Sequence, residues 1–321
     1  RSTARTPQEE CAAQWLKHTP EAVAGTSATA YYFARYLQSV LDVPVGVIVT
    51  CWGGTPVEAW MDRETMSGFK EFDLSFLDNP DQIDRPQYKP CGLYNGMIAP
   101  LVPYTVKGFL WYQGESNAGR YMDYAARLFD MVSLWRGLWG RDDLPFYYVE
   151  IAPFEYGNGK SPYLREAQCR AQELIPNSGM ICTNDLVEPY EFCNVHPKNK
   201  RDVGYRLAFM ALNKTYGMKE IACQSPQYES MEIRDGKAHV RFKYMDQGFN
   251  RMADIRGFEI CGADKVFYPA DAVVENQFAL VVSSEKVPEP VAVRYCFRDF
   301  QPGNLGDTRE LPVVPFRTDD F

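Results

Sequence analysis

Histidine is scarce in this sequence, and one of its three histidines lies where an enzyme could use it. His196 lies in the run Asn-Val-His-Pro, between a predicted strand and the helix that follows. His18 lies in a polar loop, and His239 lies in a predicted hairpin, out of phase with its apolar neighbours. Because imidazole exchanges protons near neutral pH, His196 is the candidate general base. The alternative is a loop histidine that is only structural or solvated.

A pair of glycines follows an apolar run that is typical of a buried strand. The run GVIVTC (46–51) leads directly into WGGTPVE (52–58). Thr55 has the position of the N-cap in a capping box, which predicts that a helix begins there. Backbone N–H groups at such a turn point outward and glycine lets a ligand approach closely, so Gly53 or Gly54 could donate to an oxyanion. The alternative is a simple tight turn.

A second polar segment ends another apolar run. The run VKGFLWYQG (106–114) predicts a strand, and the segment that follows it contains Gln113, Glu115 and Ser116. Ligand sites in open parallel sheets lie at the carboxyl ends of strands, where polar groups need partners. The segment is therefore either part of a site or a loop cap.

The elements that would position these residues alternate between helix and strand over residues 28–216. Further apolar runs at 145–153 and 178–185 predict strands, and apolar residues at helical spacing predict the helices between them. Strands that alternate with helices indicate a parallel sheet covered on both faces. The predicted fold class is therefore α/β, with three α/β/α layers.

The pattern changes after Gly217, where apolar residues begin to alternate with a period of two. Asp235-Gly236 is a strong signal for a hairpin turn within this part. We therefore predict an α/β domain over residues 1–217 and a β-rich C-terminal domain over residues 218–321.

Composition excludes several classes of function. The net charge of -8 argues against nucleic acid as a partner, and no apolar run approaches the ~20 residues that would span a membrane. The sequence contains neither a metal-binding histidine motif nor a phosphate-binding glycine motif, so no metal site is predicted. The nine cysteines show no C-x-x-C spacing, and we expect them to be buried free thiols.

The order of the motifs resembles that of the sialate O-acetylesterase family of SGNH hydrolases. The resemblance covers residues 27–321, and its main stretches are GVIVTCWGGTPVEAW, LYNGMIAPLVPYTVKGFLWYQGESNA, DLPFYYVEIAPF, LREAQ and NVHPKNK. It implies a three-layer α/β/α SGNH domain and a Ser–His hydrolase that removes acetyl groups from an acetylated sugar or glycan and needs no cofactor. It also implies a periplasmic or secreted bacterial protein.

The resemblance assigns roles to particular residues. Gly53 or Gly54 would give the backbone oxyanion donor, Gln113 a side-chain amide donor, and His196 the general base. The expected substrate-binding residues are Trp52, Asn95 and Arg165. Of these, Arg165 could bind the carboxylate of a sialic acid, or it could be an ordinary exposed arginine of a helix.

The sequence departs from the family pattern at the nucleophile. The family serine belongs to a first-strand block, but residues 1–27 are polar and contain no such strand. Ser116 occupies the segment that supplies Gln113, so we interpret it as a supporting residue. We expect the nucleophilic serine upstream of Arg1, in a missing part of the chain or in an N-terminal fragment of the same precursor.

A second departure concerns the acid behind the base. Many SGNH enzymes have an aspartate three residues before the catalytic histidine, whereas this chain has Cys193 there. Glu115 is the first candidate for orienting His196, because it lies in a motif at the edge of the sheet. The alternatives are a backbone carbonyl or one of three other acids, Asp185, Glu188 and Glu191.

The predicted function is hydrolysis of O-acetyl esters on carbohydrates, with 9-O-acetylated sialic acids as the first substrate. The alternatives are an esterase acting on acetylxylan or another glycan, and a non-catalytic carbohydrate-binding or structural fragment.

Overall fold

The computed structural model describes residues 1–79, 84–102, 104–250 and 254–321. The α-helices are α1 (Pro20–Val23), α2 (Ala28–Leu41), α3 (Arg63–Ser67), α4 (Tyr124–Leu138), α5 (Ser161–Leu174) and α6 (Lys200–Lys214). Short 3₁₀ segments cover Val57–Trp60, Ser75–Leu77, Pro86–Tyr88, Ala99–Leu101, Glu115–Asp123 and Pro189–Glu191, and a π-helical turn covers Tyr94–Ile98. No helix in these ranges is both long and apolar enough to cross a membrane.

Three sheets accompany these helices. The first is parallel, in the order β1 (Phe109–Trp111), β2 (Phe146–Val149) and β3 (Ser178–Ile181). The other two are antiparallel and four-stranded. Their strands are β4 (Gln227–Arg234), β5 (Lys237–Lys243), β6 (Phe258–Cys261), β7 (Tyr268–Pro269), β8 (Asp271–Asn276), β9 (Ala279–Ser283), β10 (Ala292–Tyr295) and β11 (Phe316–Arg317). The orders are β4-β5-β9-β8 and β11-β10-β6-β7.

The central strand β2 shows why helices cover the parallel sheet on both faces. Phe146 and Tyr148 pack into one core cluster with residues of α4 and α5. Tyr147 and Val149 point the other way and pack into a second cluster with residues of α2 and α6. Since successive side chains of a strand alternate in direction, an apolar strand of this kind must be buried on both sides. The predicted α/β fold class is confirmed.

The predicted strand at 46–51 is wrong. The structure has no strand there, and Ile48 and Val49 are 38% and 42% exposed. Apolar composition alone does not make a strand, because each strand needs a neighbour whose backbone satisfies its hydrogen bonds. In the described ranges this segment has no such neighbour, and β1 is the outer strand of the parallel sheet.

The predicted capping box after the glycine pair is also wrong. Residues Val57–Trp60 form a 3₁₀ turn whose N-cap is Pro56, without a side-chain cap. The Thr55 hydroxyl instead donates to the Trp52 carbonyl at 2.8 Å, and Thr55 accepts from the indole N–H of Trp60 at 3.1 Å. Thr55 therefore stabilises the turn by hydrogen bonds to Trp52 and Trp60.

The hairpin prediction is confirmed. Asp235 and Gly236 join β4 to β5, and both have positive φ, 52° and 69°. A two-residue turn with positive φ at both positions matches the right-handed twist of the strands that it joins. From Gln227 onward, the described strands pair with one another and not with the parallel sheet.

The prediction that the cysteines are buried holds only in part. All nine are free thiols; Cys11, Cys51 and Cys193 are exposed, and Cys169 is half-buried.

Candidate active site

The glycine turn and the second polar segment lie against each other. Ser116 donates its hydroxyl to the Gly54 carbonyl at 2.6 Å. Gln113 Nε2 donates to the Thr55 carbonyl at 3.0 Å. Two motifs separated by about sixty residues in the sequence are therefore joined by two hydrogen bonds. This juxtaposition is the core of the candidate site.

The glycines themselves are open to solvent on the other side. A side chain added at Gly53 would meet nothing within 4 Å, and both glycines are exposed. Gly54 has φ of 74°, a left-handed conformation that favours glycine. In the described residues neither glycine N–H donates to another protein group. The turn can thus present backbone donors to an anionic oxygen, as its sequence suggested. The neighbouring Trp52 is half-buried against the core.

Gln113 has a different place from the one expected. Its amide already donates to Thr55 and to Asn117 Oδ1, the latter at 2.7 Å, while its Oε1 accepts from the Tyr124 hydroxyl at 3.0 Å. An amide has only two N–H hydrogens, so this arrangement leaves none for an oxyanion. In the structure Gln113 holds the glycine turn in place rather than facing a substrate.

A buried polar network behind the turn was not found from the sequence. Asn117 is fully buried; its Oδ1 accepts from the Val57 N–H at 3.0 Å, and its Nδ2 donates to both oxygens of Glu58. Glu58 in turn accepts from Arg127 Nη1 at 2.7 Å. In the sequence, Glu58 and Arg127 are charged residues flanked by apolar ones, which hints at burial. That pattern does not reveal that the two side chains pair.

Glu115 and His196 lie within electrostatic reach of each other. Burial raises the pKa of Glu115, while its own N–H, the positive charges of Lys200 and His196, and the Gly114 N–H act in the opposite direction. The His196 side chain is exposed, and its backbone N–H donates to Asn194 Oδ1 at 3.0 Å. In the described residues no hydrogen bond or ion pair joins the two side chains, and their link is electrostatic.

The other three candidate acids have partners of their own. Asp185 makes a two-pronged ion pair with Arg206 at 2.7 and 2.6 Å. Glu191 accepts from the backbone N–H groups of Glu188 and Lys198, at 3.0 and 2.9 Å. Glu188 completes the capping box of the Pro189–Glu191 turn. Each of these three acids is thus engaged by partners other than His196.

Two expected substrate-binding residues are engaged inside the protein, which corrects both assignments. Arg165 is 1% exposed, and its guanidinium donates to Asn184 Oδ1 and to the carbonyls of Cys296 and Arg298. Asn95 is 3% exposed and donates to the Ala4 carbonyl at 3.0 Å. The Nε of Arg165 has no partner in the described residues, but it is buried with the rest of the side chain. Both side chains join distant parts of this chain and are enclosed by protein, so neither is presented to a sugar at the surface.

Comparison with known proteins identifies the family of this chain. The family model for carbohydrate esterase, sialic acid-specific acetylesterase, matches residues 3–213. The sialate O-acetylesterase of Mus musculus is 28% identical over 90% of this chain and 63% of its own length. That of Pongo abelii is 30% identical over 88% of this chain and 59% of its own length.

A solved structure extends the likeness to the whole fold. The crystal structure of a novel carbohydrate acetylesterase from Xanthomonas citri superposes with a TM-score of 0.89 at 33% identity, covering 100% of this chain and 72% of that one. The chain thus spans about 60% of the length of the two mammalian relatives. Because the family model matches well over half of its residues, this chain belongs to the carbohydrate esterase family of sialic acid-specific acetylesterases.

Proposed function

We propose that this chain carries the base and the oxyanion turn of a carbohydrate O-acetylesterase. The observation that supports this most directly is the junction of the Gly53–Gly54 turn with the segment that contains Gln113 and Glu115. In that segment, the carboxylate of Glu115 interacts electrostatically with His196, the exposed imidazole of the site. A base, an acid behind it and outward N–H groups are the parts that acyl transfer needs.

The proposed reaction runs in two halves. A serine hydroxyl attacks the acetyl carbonyl while His196 takes its proton, and the N–H groups of Gly53 or Gly54 stabilise the resulting oxyanion. The tetrahedral centre collapses, the C–O bond to the sugar breaks, and His196 returns the proton to the sugar oxygen. Water then attacks the acetyl-serine by the same route, releasing acetate and regenerating the serine. Glu115 stabilises the imidazolium that forms in each half.

The nucleophile in this proposal is a serine outside these 321 residues. Ser116, the serine nearest to the turn, donates its hydroxyl to the Gly54 carbonyl and so supports the turn itself. The matched relatives are longer than this chain, which leaves room for a nucleophile segment in the complete protein.

Sialic acids O-acetylated at the 9-position are the first proposed substrate, on the strength of the family. Neutral acetylated glycans such as acetylxylan are the second, because Arg165 is buried and cannot bind the carboxylate of a sialate. A periplasmic or secreted location belongs to the same proposal.

The first test compares proteins and substrates. Release of acetate from 9-O-acetylated sialic acid and from acetylxylan is measured for this chain alone and for a longer protein that includes upstream residues. We expect turnover by the longer protein and none above background by this chain. Full turnover by this chain alone would mean that the nucleophile lies within these 321 residues, and Ser116 would be the first candidate. Inactivity of both proteins on both substrates would support the non-catalytic alternative.

The second test removes the base. In the longer protein, His196→Ala should lower kcat on the order of 10⁴–10⁶-fold, as loss of the histidine does in other serine hydrolases. His18→Ala is the matched control, because the His18 ring lies against the ring of Tyr31 in α2, outside the candidate site. Equal rates for His196→Ala and the parent protein would remove the mechanism.

A further inference from the structure

The loop that carries His196 is closed by one buried carboxylate. This loop, residues 188–198, precedes α6 and is called the base loop below. Glu191 is 3% exposed; its Oε2 accepts from the Glu188 N–H at 3.0 Å, and its Oε1 accepts from the Lys198 N–H at 2.9 Å. The two oxygens of one side chain therefore tie together the first and the last residue of the loop.

His196 lies between two fixed points of the base loop. The Asn194 N–H donates to the Glu191 carbonyl at 2.7 Å, and Asn194 Oδ1 accepts from the His196 N–H at 3.0 Å. On the other side Pro197 is buried, whereas His196 itself is exposed. The part of the chain that the structure describes gives the imidazole no hydrogen bond of its own. The place of the ring is therefore set by the backbone of the base loop.

The two hydrogen bonds to Glu191 require a carboxylate. Both partners are backbone N–H groups, so both oxygens of the side chain must accept. Burial alone would raise the pKa of Glu191, but the N–H groups of Glu188 and Lys198 and the charges of Lys198 and Lys200 outweigh it and lower the pKa. An amide in the same place has one acceptor oxygen, and its NH₂ group cannot accept from the second N–H.

We propose that Glu191 is a positioning residue for His196, which fixes the place of the imidazole by holding both ends of the base loop. This inference rests on the proposed function, in which His196 is the general base. Glu191 acts through the backbone and does not face the imidazole, because its oxygens bind Glu188 and Lys198. A misplacement of about 1 Å can cost on the order of 10²-fold in rate, so release of one end of the loop should be visible in catalysis.

A second buried carboxylate offers a matched control in the β-rich part. Asp307 is fully buried, and its Oδ1 accepts from the backbone N–H groups of Arg309 and Leu311, at 2.9 and 3.0 Å. Its Oδ2 accepts from the Arg309 side chain at 2.7 Å. Asp307→Asn therefore disturbs a carboxylate that holds its own loop, as Glu191 does, but outside the candidate site.

The first experiment needs no enzymatic activity. Amide hydrogen exchange is recorded by NMR for this chain and for its Glu191→Gln variant. The amide of Glu188 or that of Lys198 should exchange on the order of tenfold faster or more, because one of them loses a charged acceptor. The amides of β2, which is paired on both sides, should not change. Unchanged exchange at both loop amides overturns the inference.

The second experiment measures acetate release by the longer protein. Glu191→Gln should lower kcat on the order of 10²-fold and leave KM nearly unchanged, because Glu191 is too buried to touch a substrate. Asp307→Asn should keep the parental kcat. Glu191→Asp keeps the charge on a shorter side chain and should lose less than Glu191→Gln; it also gives a result if Glu191→Gln does not fold. A parental kcat in the Glu191 variants, or equal losses in Glu191→Gln and Asp307→Asn, overturns the inference.

His196→Ala in the same protein separates this inference from the proposed function. If His196→Ala abolishes turnover while Glu191→Gln keeps the parental kcat, the proposed function stands and the inference fails. If His196→Ala keeps the parental rate, the proposed function fails, and the role given to Glu191 fails with it.

Discussion

At the scale of single residues, the site depends on a charge pair buried behind it. Glu58 and Arg127 are each 1% exposed, and Asn117 connects Glu58 to Gln113 and to the turn. Arg127 also reaches Glu71 and Asp123, at 2.6 and 3.2 Å. A buried pair of this kind adds little to stability compared with an apolar pair, but removing one partner leaves the other uncompensated.

Arg127→Met should therefore lower the free energy of unfolding by about 3–5 kcal/mol, because it leaves the Glu58 carboxylate buried without its main cation. The measurement is urea unfolding at pH 7. Arg63→Met is the control: Arg63 pairs with Asp78 at 2.5 Å, but both side chains are more than half exposed, so solvent screens the pair and the loss should be much smaller. Equal losses in the two variants would mean that the Glu58–Arg127 pair is not isolated from water.

Gln113→Leu tests whether the amide holds the turn. The variant loses the hydrogen bonds to Thr55 and Asn117 and leaves the buried Tyr124 hydroxyl without its Oε1 acceptor. We expect a loss of about 1–3 kcal/mol in the free energy of unfolding, measured in urea. Gln8→Leu is the control, because exposed Gln8 donates its side chain only to the nearby Thr6 carbonyl. An unchanged urea midpoint for Gln113→Leu would contradict the view that this amide holds the glycine turn in place.

At the scale of elements, one aspartate from the β-rich part binds the start of α5. Asp299 accepts from the N–H groups of Asn158, Gly159 and Ser161 and from the Ser161 hydroxyl, at 2.7 to 3.3 Å. Burial alone would raise the pKa of Asp299, but these hydrogen bonds outweigh it and lower the pKa below its ordinary value of 3.8. The stability that Asp299 contributes is then complete above that value and is lost as the pH falls through the lowered pKa.

Asp299→Asn should consequently cost about 1–2 kcal/mol at pH 7, since an amide accepts from these N–H groups less strongly than a carboxylate. Unfolding in urea is measured for both proteins from pH 7 down to pH 3. The difference between them should stay constant down to about pH 4 and shrink only below it. A difference that already shrinks between pH 6 and pH 5 would show that the pKa is raised instead.

Apolar periodicity predicted the strands and helices of the parallel sheet correctly where an apolar segment also has a neighbouring element to pair or pack with. The alternation of strand and helix predicted a helix between the strands at 106–114 and 145–153, and the structure has α4 there. The strand at 46–51 failed because the sequence shows apolarity but not the neighbour that a strand requires. Arg165 and Asn95 were misassigned for a similar reason, since their partners lie far away in the chain, at Cys296 and Ala4.

At the scale of the whole molecule, polar contacts join the β-rich part to the helices of the α/β part. Arg317 makes a two-pronged ion pair with Glu166 of α5, at 2.9 and 3.2 Å. Arg165, also of α5, donates to two carbonyls of the segment after β10. The sequence indicated both parts through the change of period near Gly217, but it gave no sign of this interface. Periodicity reports only local burial, whereas the interface pairs side chains about 150 residues apart.

The exposed run 46–51 and the outer strand β1 lead to a last prediction. Ile48 and Val49 are too apolar for a typical surface loop, and β1 pairs on one side only in the described residues. If the complete protein supplies a strand here, both segments gain backbone partners. Hydrogen exchange, followed by mass spectrometry, should then show slower exchange at 46–51 and 109–111 in the longer protein than in this chain. The amides of β2 are the internal control, because this strand is paired on both sides and should be protected in both proteins. Equal exchange at 46–51 in the two proteins would mean that this run is a loop in its own right, and that its apolar side chains serve another contact.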